Sequence, residues 1–492
     1  MPTRLSARTL TALPSLVAVP RYDRASVTPG IVHLGVGAFH RAHQAAYVDE
    51  CLAAGEKDWG IVGASLQSSS TADALGPQDG LYTLAERGSD GERLRVIGSI
   101  KEVLVAPRAP GRLLDALTDP GIRIVTLTIT EKAYLRDAAG DLDAAHPDIV
   151  ADLADPARPR TAHGFIVEAL ARRRAAETRP FTVLSCDNLP ANGATLHRLL
   201  VQFAGLRDAA LAKHVEGVSC PSSMVDRIVP ATTDADRARV SQMLGVEDAW
   251  PVMTEPFRQW VIEDDFSAGR PGWETFGVQM VRDVRPFEEM KLRLLNGAHS
   301  AIAYLGLLAG HDTVAKAFGD PAIRGFVQAL WAEAAPTLPE DAGLDREKYV
   351  LDLTERFDNT ALQHRTAQIA NDGSQKLPQR IIGAALDRLA AGGAADHLML
   401  AVAAWIRAVE LRGAGLPSDH FTDPLDAPLA KIAQTPQSAR DTVAAVFKLT
   451  GFARNSAHHA ALETLVSTHL DMLRREGVAA ALAPLPSTGK YA

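Results

Sequence analysis

Cysteine is scarce in this chain of 492 residues: Cys51, Cys186 and Cys220 are all there is, far apart in sequence. No Cys-x-x-Cys pair and no Cys/His zinc spacing occurs, and an odd count suits a reducing cytoplasm better than a disulfide framework. Long apolar runs are also missing. The most apolar stretches, such as Leu398 to Ile406, are about half the ~20 residues needed to span a bilayer. The opening segment MPTRLSARTLTALPSLVAVP lacks an apolar core followed by a cleavage site, so it does not read as a signal peptide. Excess charge of one sign is absent as well. Lys plus Arg total 51 against 59 Asp plus Glu, a net charge of −8, with pI ≈ 6.0. Nothing there points to a nucleic-acid binder or a polybasic membrane module. The expected partners are small molecules, with no nucleic acid and no membrane. The expected location is cytoplasmic, and the expected state is a monomer or small homo-oligomer.

What is present is ordinary globular composition, 47% hydrophobic and 22% charged. A chain this long exceeds the size at which one core stops growing, so at least two domains and an enzyme are expected. The first 30 residues read as an irregular lead-in with one short amphipathic piece. Then Ile31-Val32-His33-Leu34 runs as an apolar strand into Gly35-Val36-Gly37. Ala42–Ala54 has a helical pattern, and Trp59–Ala64 is a second apolar run. Strand, glycine turn, helix, strand is a βαβ unit and predicts a parallel sheet. Further strands are expected at Leu94–Ile97, Arg123–Thr130 and Phe181–Cys186, with a helix at Ala162–Arg174. This α/β alternation continues to about residue 230.

From about Pro286 helical patterns dominate: Glu288–Leu308, Pro321–Ala334, Leu377–Ala391, Leu398–Leu411, Ala439–Leu449 and Ala460–Arg475. Pro321 after Asp320 marks a capped helix start. The expected division is an α/β domain over 1–284 and a mostly α-helical domain over 285–492. The tail Ala483–Ala492, with Pro484, Pro486 and a Ser-Thr-Gly run, reads as loose.

Three segments carry chemistry. Gly35-Val36-Gly37-Ala38-Phe39-His40-Arg41 lies between a strand and a helix, where glycines let a pyrophosphate approach the backbone and the helix start supplies N–H groups. His40 stands where the usual fingerprint has its third glycine, and a tight turn without a ligand would read the same way. A NAD site normally places an acid at the end of the second strand. Here that end reads Ser65-Leu66-Gln67-Ser68-Ser69-Ser70, with no acid before Asp73 and no arginine in the segment. Charge therefore leaves the choice between NAD and NADP open. In the second segment, Lys291, Asn296 and His299 fall in a helical pattern. At about 100° per residue, Lys291 and His299 lie roughly 80° apart on one face. A lysine against apolar walls can act as a base, while Asn and His can hold an alkoxide oxygen. A surface lysine beside a helix-breaking Asn-Gly pair has the same spacing. The third segment, Ser185-Cys186-Asp187-Asn188, sits at a strand's C-terminal end, where open parallel sheets bind ligands. Asn188 there suits a substrate oxygen or an ordinary turn equally well. Tyr-x-x-x-Lys, Gly-x-Ser-x-Gly and a Walker loop are all missing. No metal is expected, because the ligand spacing of a zinc site is lacking.

Taken together, seven stretches resemble one family: GVGAFHRAHQ (35–44), TLTITEKAY (126–134), FTVLSCDNLPANG (181–193), MVDRIVP (224–230), EPFRQWVIEDDF (255–266), MKLRLLNGAHS (290–300) and HRTAQIANDGSQKLPQR (364–380). They are similar to the long-chain polyol dehydrogenases of the mannitol 2-dehydrogenase and fructuronate reductase family, over nearly the whole chain. The resemblance implies a Rossmann-type N-terminal domain with a mainly parallel sheet, a mostly α-helical C-terminal domain, and metal-independent hydride transfer with NAD, NADP not being excluded. It implies Lys291 as catalytic base with Asn296, His299 and Asn188 around the reacting oxygen. It places the cofactor on Gly35, Gly37, Ala38, Phe39, His40, Arg41, Ser69 and Glu131. It places the substrate on Asp226, Lys376, Arg365 and Gln368, with Glu288 as a proton path. Ser69-Ser70 replaces an acidic pair found in some mannitol-oxidising members, and Gln368 replaces an arginine. The implied substrate pair is D-mannitol and D-fructose. The alternatives are D-mannonate and D-fructuronate, or another polyol such as arabinitol or sorbitol. A uronate carboxylate needs a cation, for which Lys132, Arg365 and Lys376 are the candidates.

Overall fold

The computed structural model describes residues 3–340, 343–412, 421–435 and 437–483. Apart from Ala483, the tail expected to be loose lies outside them. The chain divides into two compact units, Met1–Arg285 and Pro286–Ala492.

The first unit is built on five parallel strands: β1 (Pro29–Leu34), β2 (Gly60–Ser65), β5 (Ile100–Val105), β6 (Ile124–Leu127) and β7 (Thr182–Ser185), in the order β5-β2-β1-β6-β7. Their side chains alternate between two cores. Val32, Val62, Val125 and Val183 enter one, and Ile31, Ile61, Ile124 and Leu184 enter the other. A sheet covered on both faces needs apolar residues at consecutive positions, which is why the inner strands read as hydrophobic runs, while the edge strand β5 carries Lys101 and Glu102. The order reverses between β1 and β6, so the loops after those two strands flank the crevice where such sheets bind ligands.

Two smaller sheets were not expected. Strand β3 (Tyr82–Gly88) pairs antiparallel with β4 (Gly91–Ile97) and parallel with β9 (Val252–Thr254). The Leu94–Ile97 run thus belongs to a hairpin and not to the parallel sheet. Its buried residues divide between two cores, Leu94 and Val96 in one and Ile97 in the other. Strands β8 (Ser223–Asp226), β10 (Gln259–Glu263) and β11 (Gln279–Val281) form the other sheet. The helix expected at Ala42–Ala54 is two pieces, α1 (Ala38–Ala42) and α2 (Gln44–Ala53), broken at His43, whose φ of −119° and ψ of −86° leave the helical region.

The described part of the second unit contains no named strand. Its helices follow the sequence pattern closely at Pro321–Ala334, Asp396–Leu411, Ala439–Thr450 and His459–Arg475. Asp320 accepts from the Ala322 N–H at 2.9 Å, the cap expected at that helix start. Two expected helices differ. Glu288–Leu308 is an α-helix (Arg285–Met290), a π-helical turn (Lys291–Asn296) and a second α-helix (Gly297–Ala309). Leu377–Ala391 likewise contains a π turn at Pro378–Ile382. A Cβ on Gly297 would lie 3.0 Å from the Arg380 carbonyl, so the two π turns touch backbone to backbone at a glycine.

Candidate active site

After β1 the chain must turn sharply, and Gly35 does this at φ +94°, where a Cβ would lie 2.2 Å from the Thr128 carbonyl. No side chain fits that conformation and that space. Gly37 differs. It is exposed, and a Cβ there would meet only the Gly35 carbonyl, at 3.8 Å. No side chain caps α1 either. An open glycine before an uncapped helix start suits a phosphate, which main-chain N–H groups and the helix dipole both attract.

Ala38 and Phe39 are half-buried at this start, and Phe39 stacks on His43 with centroids 5.1 Å apart. The side chains of His40 and Arg41 are engaged in the core. His40 is fully buried and stacked on His33, and burial holds its pKa well below the usual histidine value. Arg41 hydrogen-bonds the Trp250 carbonyl and lies over the Tyr82 ring. The Arg41 N–H is itself donated to the Gly37 carbonyl at 3.3 Å, closing the first turn of α1. Ser69, at the end of β2, donates to Asp73 at 2.6 Å and accepts from Arg108 at 2.8 Å. Sequence reading missed Arg108, because it arrives from the end of β5, 39 residues on.

The loop after β6 is held from beneath. Asp187 accepts from the Ile129 and Thr130 N–H groups at 3.1 and 2.9 Å and from the Tyr134 hydroxyl at 2.8 Å. Burial raises the pKa of its carboxyl while these donors oppose the shift. Thr130 sits at φ +71°, a conformation that a β-branched residue adopts only when its surroundings enforce it. Glu131 follows, exposed and paired to Arg136 at 2.8 Å. Lys132 is exposed as well. Asn188 is exposed just beyond β7, and Asp226 is buried at the end of β8. Asn192 ties the loop after β7 to the start of β8. Its amide donates to the Asp187 and Ser223 carbonyls at 3.0 and 2.7 Å and accepts from the Ser223 N–H at 2.9 Å. Nothing in the sequence singled out Asp187 or Asn192 beyond their place in a matching stretch.

In the second unit, the π turn corrects the helical-wheel expectation. Gly297 donates its N–H to the Leu292 carbonyl, five residues back, so residues five apart stack where an α-helix would splay them. Lys291 and Asn296 have this spacing. Arg293 pins the turn from outside, donating to the Thr337 carbonyl at 3.0 Å and pairing with Asp387 at 2.7 Å. Trp331 donates to the Leu294 carbonyl at 3.0 Å. Lys291 is half-buried, Asn296 is buried, and Glu288 stands half-buried in the preceding helix.

His299 follows, 7% exposed, with its Nε2 unpartnered and its ring 5.4 Å from that of His364. Burial first, then His364, Arg356, Arg380 and Lys291, holds its pKa well below the usual value. It is therefore neutral at pH 7 and able to exchange hydrogen bonds with an oxygen. Arg380 donates to Ser300 Oγ at 3.2 Å and has no ion pair among the described residues. Burial pushes its pKa down to about 10, yet it keeps some accessible surface. Lys376, one turn earlier, pairs loosely with Asp372 at 3.7 Å, and its pKa is lowered by burial and by Arg380. Arg365 and Gln368 are exposed on the flank of this group. Arg380 and His364 were not singled out from sequence, although both lie in the 364–380 stretch. Among the described residues no group of three or more His, Cys, Asp or Glu side chains is placed to hold a metal ion.

Comparison with known proteins accords with this arrangement. Residues 29–275 match the mannitol dehydrogenase Rossmann domain, and residues 283–473 match the mannitol dehydrogenase C-terminal domain. D-mannonate oxidoreductase of Escherichia coli (strain K12) is 44% identical over 481 residues, covering 95% of this chain and 98% of its own. Mannitol 2-dehydrogenase of Pyrenophora tritici-repentis is 44% identical over 416 residues, 82% of this chain and 73% of its own. Among solved structures, Pseudomonas fluorescens mannitol 2-dehydrogenase in ternary complex with NAD and D-mannitol superposes with a TM-score of 0.84 at 39% identity. That match covers 97% of this chain and 98% of the other. The fold, the segments that carry the chemistry and these likenesses agree: the chain belongs to the mannitol dehydrogenase family of oxidoreductases.

Proposed function

We propose that the chain transfers hydride between NAD and the C2 alcohol of a straight-chain, six-carbon substrate, with D-mannitol and D-fructose as the first reading. The observation that carries it is the π turn, which gives Lys291 and Asn296 one register and sets the neutral His299 just beyond. NAD, when bound, supplies the hydride acceptor. Residues 1–284 hold it, through Gly35, Gly37 and the start of α1, with Ser69 and Glu131 at its flanks. Residues 285–492 form the catalytic and substrate part. Lys291 Nζ takes the hydroxyl proton as hydride leaves C2, and Glu288 passes that proton on. Asn296, His299 and Asn188 hydrogen-bond the oxygen as charge develops on it, where preorganised donors are worth most. Asp226, Lys376, Arg365 and Gln368 are the substrate contacts of this reading. No metal takes part, the enzyme is cytoplasmic, and it works as a monomer or small homo-oligomer.

A second reading, D-mannonate and D-fructuronate, is favoured by one observation. Lys291, Arg356, Arg380 and His364 all act on His299, and Arg380 has no carboxylate partner among the described residues. A recessed guanidinium with no ion pair, eased only by the charge of Asp372, is costly unless an anion arrives. Arg380 with Lys376 then takes the carboxylate, in place of the exposed Lys132 and Arg365. The test is an initial-rate panel of mannitol, arabinitol, sorbitol and mannonate with NAD, with and without EDTA. Turnover of at least one substrate that survives chelation is expected. Mannonate as the preferred substrate, with its KM raised in Arg380→Gln, decides for the second reading. No turnover with any of the four contradicts both.

A further inference from the structure

The end of β2 is where a doubly wound sheet receives the adenosine ribose of a dinucleotide, and an acid there selects NAD by bonding the 2′-hydroxyl. This chain has three consecutive serines instead. Ser68 and Ser70 share a hydrogen bond at 3.0 Å. Ser69 receives Arg108 Nη2 at 2.8 Å, and Arg108 Nη1 lies 3.4 Å from Asp73. Thr71 Oγ1 donates to the Val36 carbonyl at 3.3 Å, so the start of α3 (Ser70–Leu75) is tied directly to the glycine turn. The cluster is therefore continuous with the candidate pyrophosphate site.

From this we infer that Arg108, with the hydroxyls of Ser68, Ser69 and Ser70, forms a subsite for the 2′-phosphate of NADP, so that the chain accepts NADP as well as NAD. The inference rests on the dinucleotide reading above and adds a ligand group to it. The Arg108 side chain is 65% exposed, and each terminal nitrogen has one neutral or loosely held partner, which leaves N–H groups for an incoming anion. Arg and phosphate match in geometry as well as in charge, while hydroxyls complete a tetrahedral anion without adding repulsion. Asp73 has two effects. In the free protein it helps hold Arg108 in place, and beside a 2′-phosphate it repels. The site is thus built to accept both cofactors and not to require the phosphate.

Direct binding tests this without any sugar substrate. Calorimetry compares adenosine 2′,5′-bisphosphate with ADP on the intact protein. The bisphosphate should bind at least tenfold more tightly, and Arg108→Ala should remove that advantage. In steady state, Arg108→Ala should lower kcat/KM for NADP relative to NAD at least tenfold, through KM. Ser69→Asp should shift the same ratio toward NAD, and Asp73→Asn toward NADP. Equal binding of the two nucleotides, or an advantage that persists in Arg108→Ala, overturns the assignment. Binding of neither nucleotide overturns the dinucleotide reading itself, and the 2′-phosphate subsite falls with it. A bisphosphate advantage abolished by inorganic phosphate at equal concentration would show an unspecific anion site and would also overturn it.

Discussion

Lys291 is the residue on which the chemistry turns, and its replacement separates binding from catalysis. A positioned base contributes about 10²–10⁴-fold in rate. Lys291→Ala should lose that much in kcat while its affinity for NAD, read by fluorescence titration, stays within a few-fold. An equal kcat between pH 7 and 9 would remove Lys291 from its role. Not every residue of the site could be read from sequence to the same degree. Gly35 was legible, because a strand followed at once by Gly-x-Gly leaves few conformations, and φ +94° is one that glycine alone adopts freely. Arg108 was not, because it belongs to a different strand end and meets Ser69 only once β2 and β5 pair. Asp187 and Asn192 were obscured for a related reason. Their partners are main-chain groups of other loops, and main-chain groups carry no sequence signal.

The π turns matter most at the scale of elements. The pattern over 288–308 reads as one helix, since adding a residue to a turn leaves apolar periodicity almost intact on either side. What changes is the register inside the turn, and that is where Lys291 and Asn296 lie. The contact of Gly297 with the Arg380 carbonyl holds this register against the second π turn. Gly297→Val forces a β-branched side chain into a gap that a bare Cβ already closes to 3.0 Å. Overpacking of this kind costs about 1–3 kcal/mol. The variant should still fold, with a lowered Tm, but its kcat should fall more than tenfold, because the displaced backbone carries Asn296. A lowered Tm with full kcat would show that the register is not what matters. Four of the five parallel strands were read to within a few residues, because a doubly covered strand needs consecutive apolar positions, whereas the edge strand β5 was missed, Lys101 and Glu102 breaking its apolar run. Of the small sheets only the Leu94–Ile97 part of β4 was read as a strand, and its hairpin partner was not; β8, β9 and β11 are only three or four residues long.

Across the whole molecule, buried neutral histidines set the response to acid. Burial pushes His33 and His43 down to about 3 and His163 down to about 4, and all three are fully buried. In the unfolded chain each titrates near the ordinary value of about 6.5. Above that pH neither state is protonated and these groups contribute nothing to the difference. Below it the unfolded chain binds protons that the folded chain refuses. Each group then costs up to about 1.4 kcal/mol per pH unit until its folded pKa is reached. The midpoint of urea unfolding should therefore fall steeply from pH 6.5 to pH 4. A midpoint that holds steady over that range would mean these histidines are solvated or paired.

The central claim is that hydride leaves the carbinol carbon next to a terminal CH2OH of the substrate for the nicotinamide ring while Lys291 receives the hydroxyl proton. Mannitol deuterated at C2, and mannonate deuterated at C5, the carbon that becomes the fructuronate ketone, test it most directly, with mass spectrometry of the NADH formed. At least one of the two should yield NADH bearing a single deuterium, with a primary isotope effect on the rate in single turnover. Deuterium found in water, or unlabelled NADH from both substrates, would contradict it.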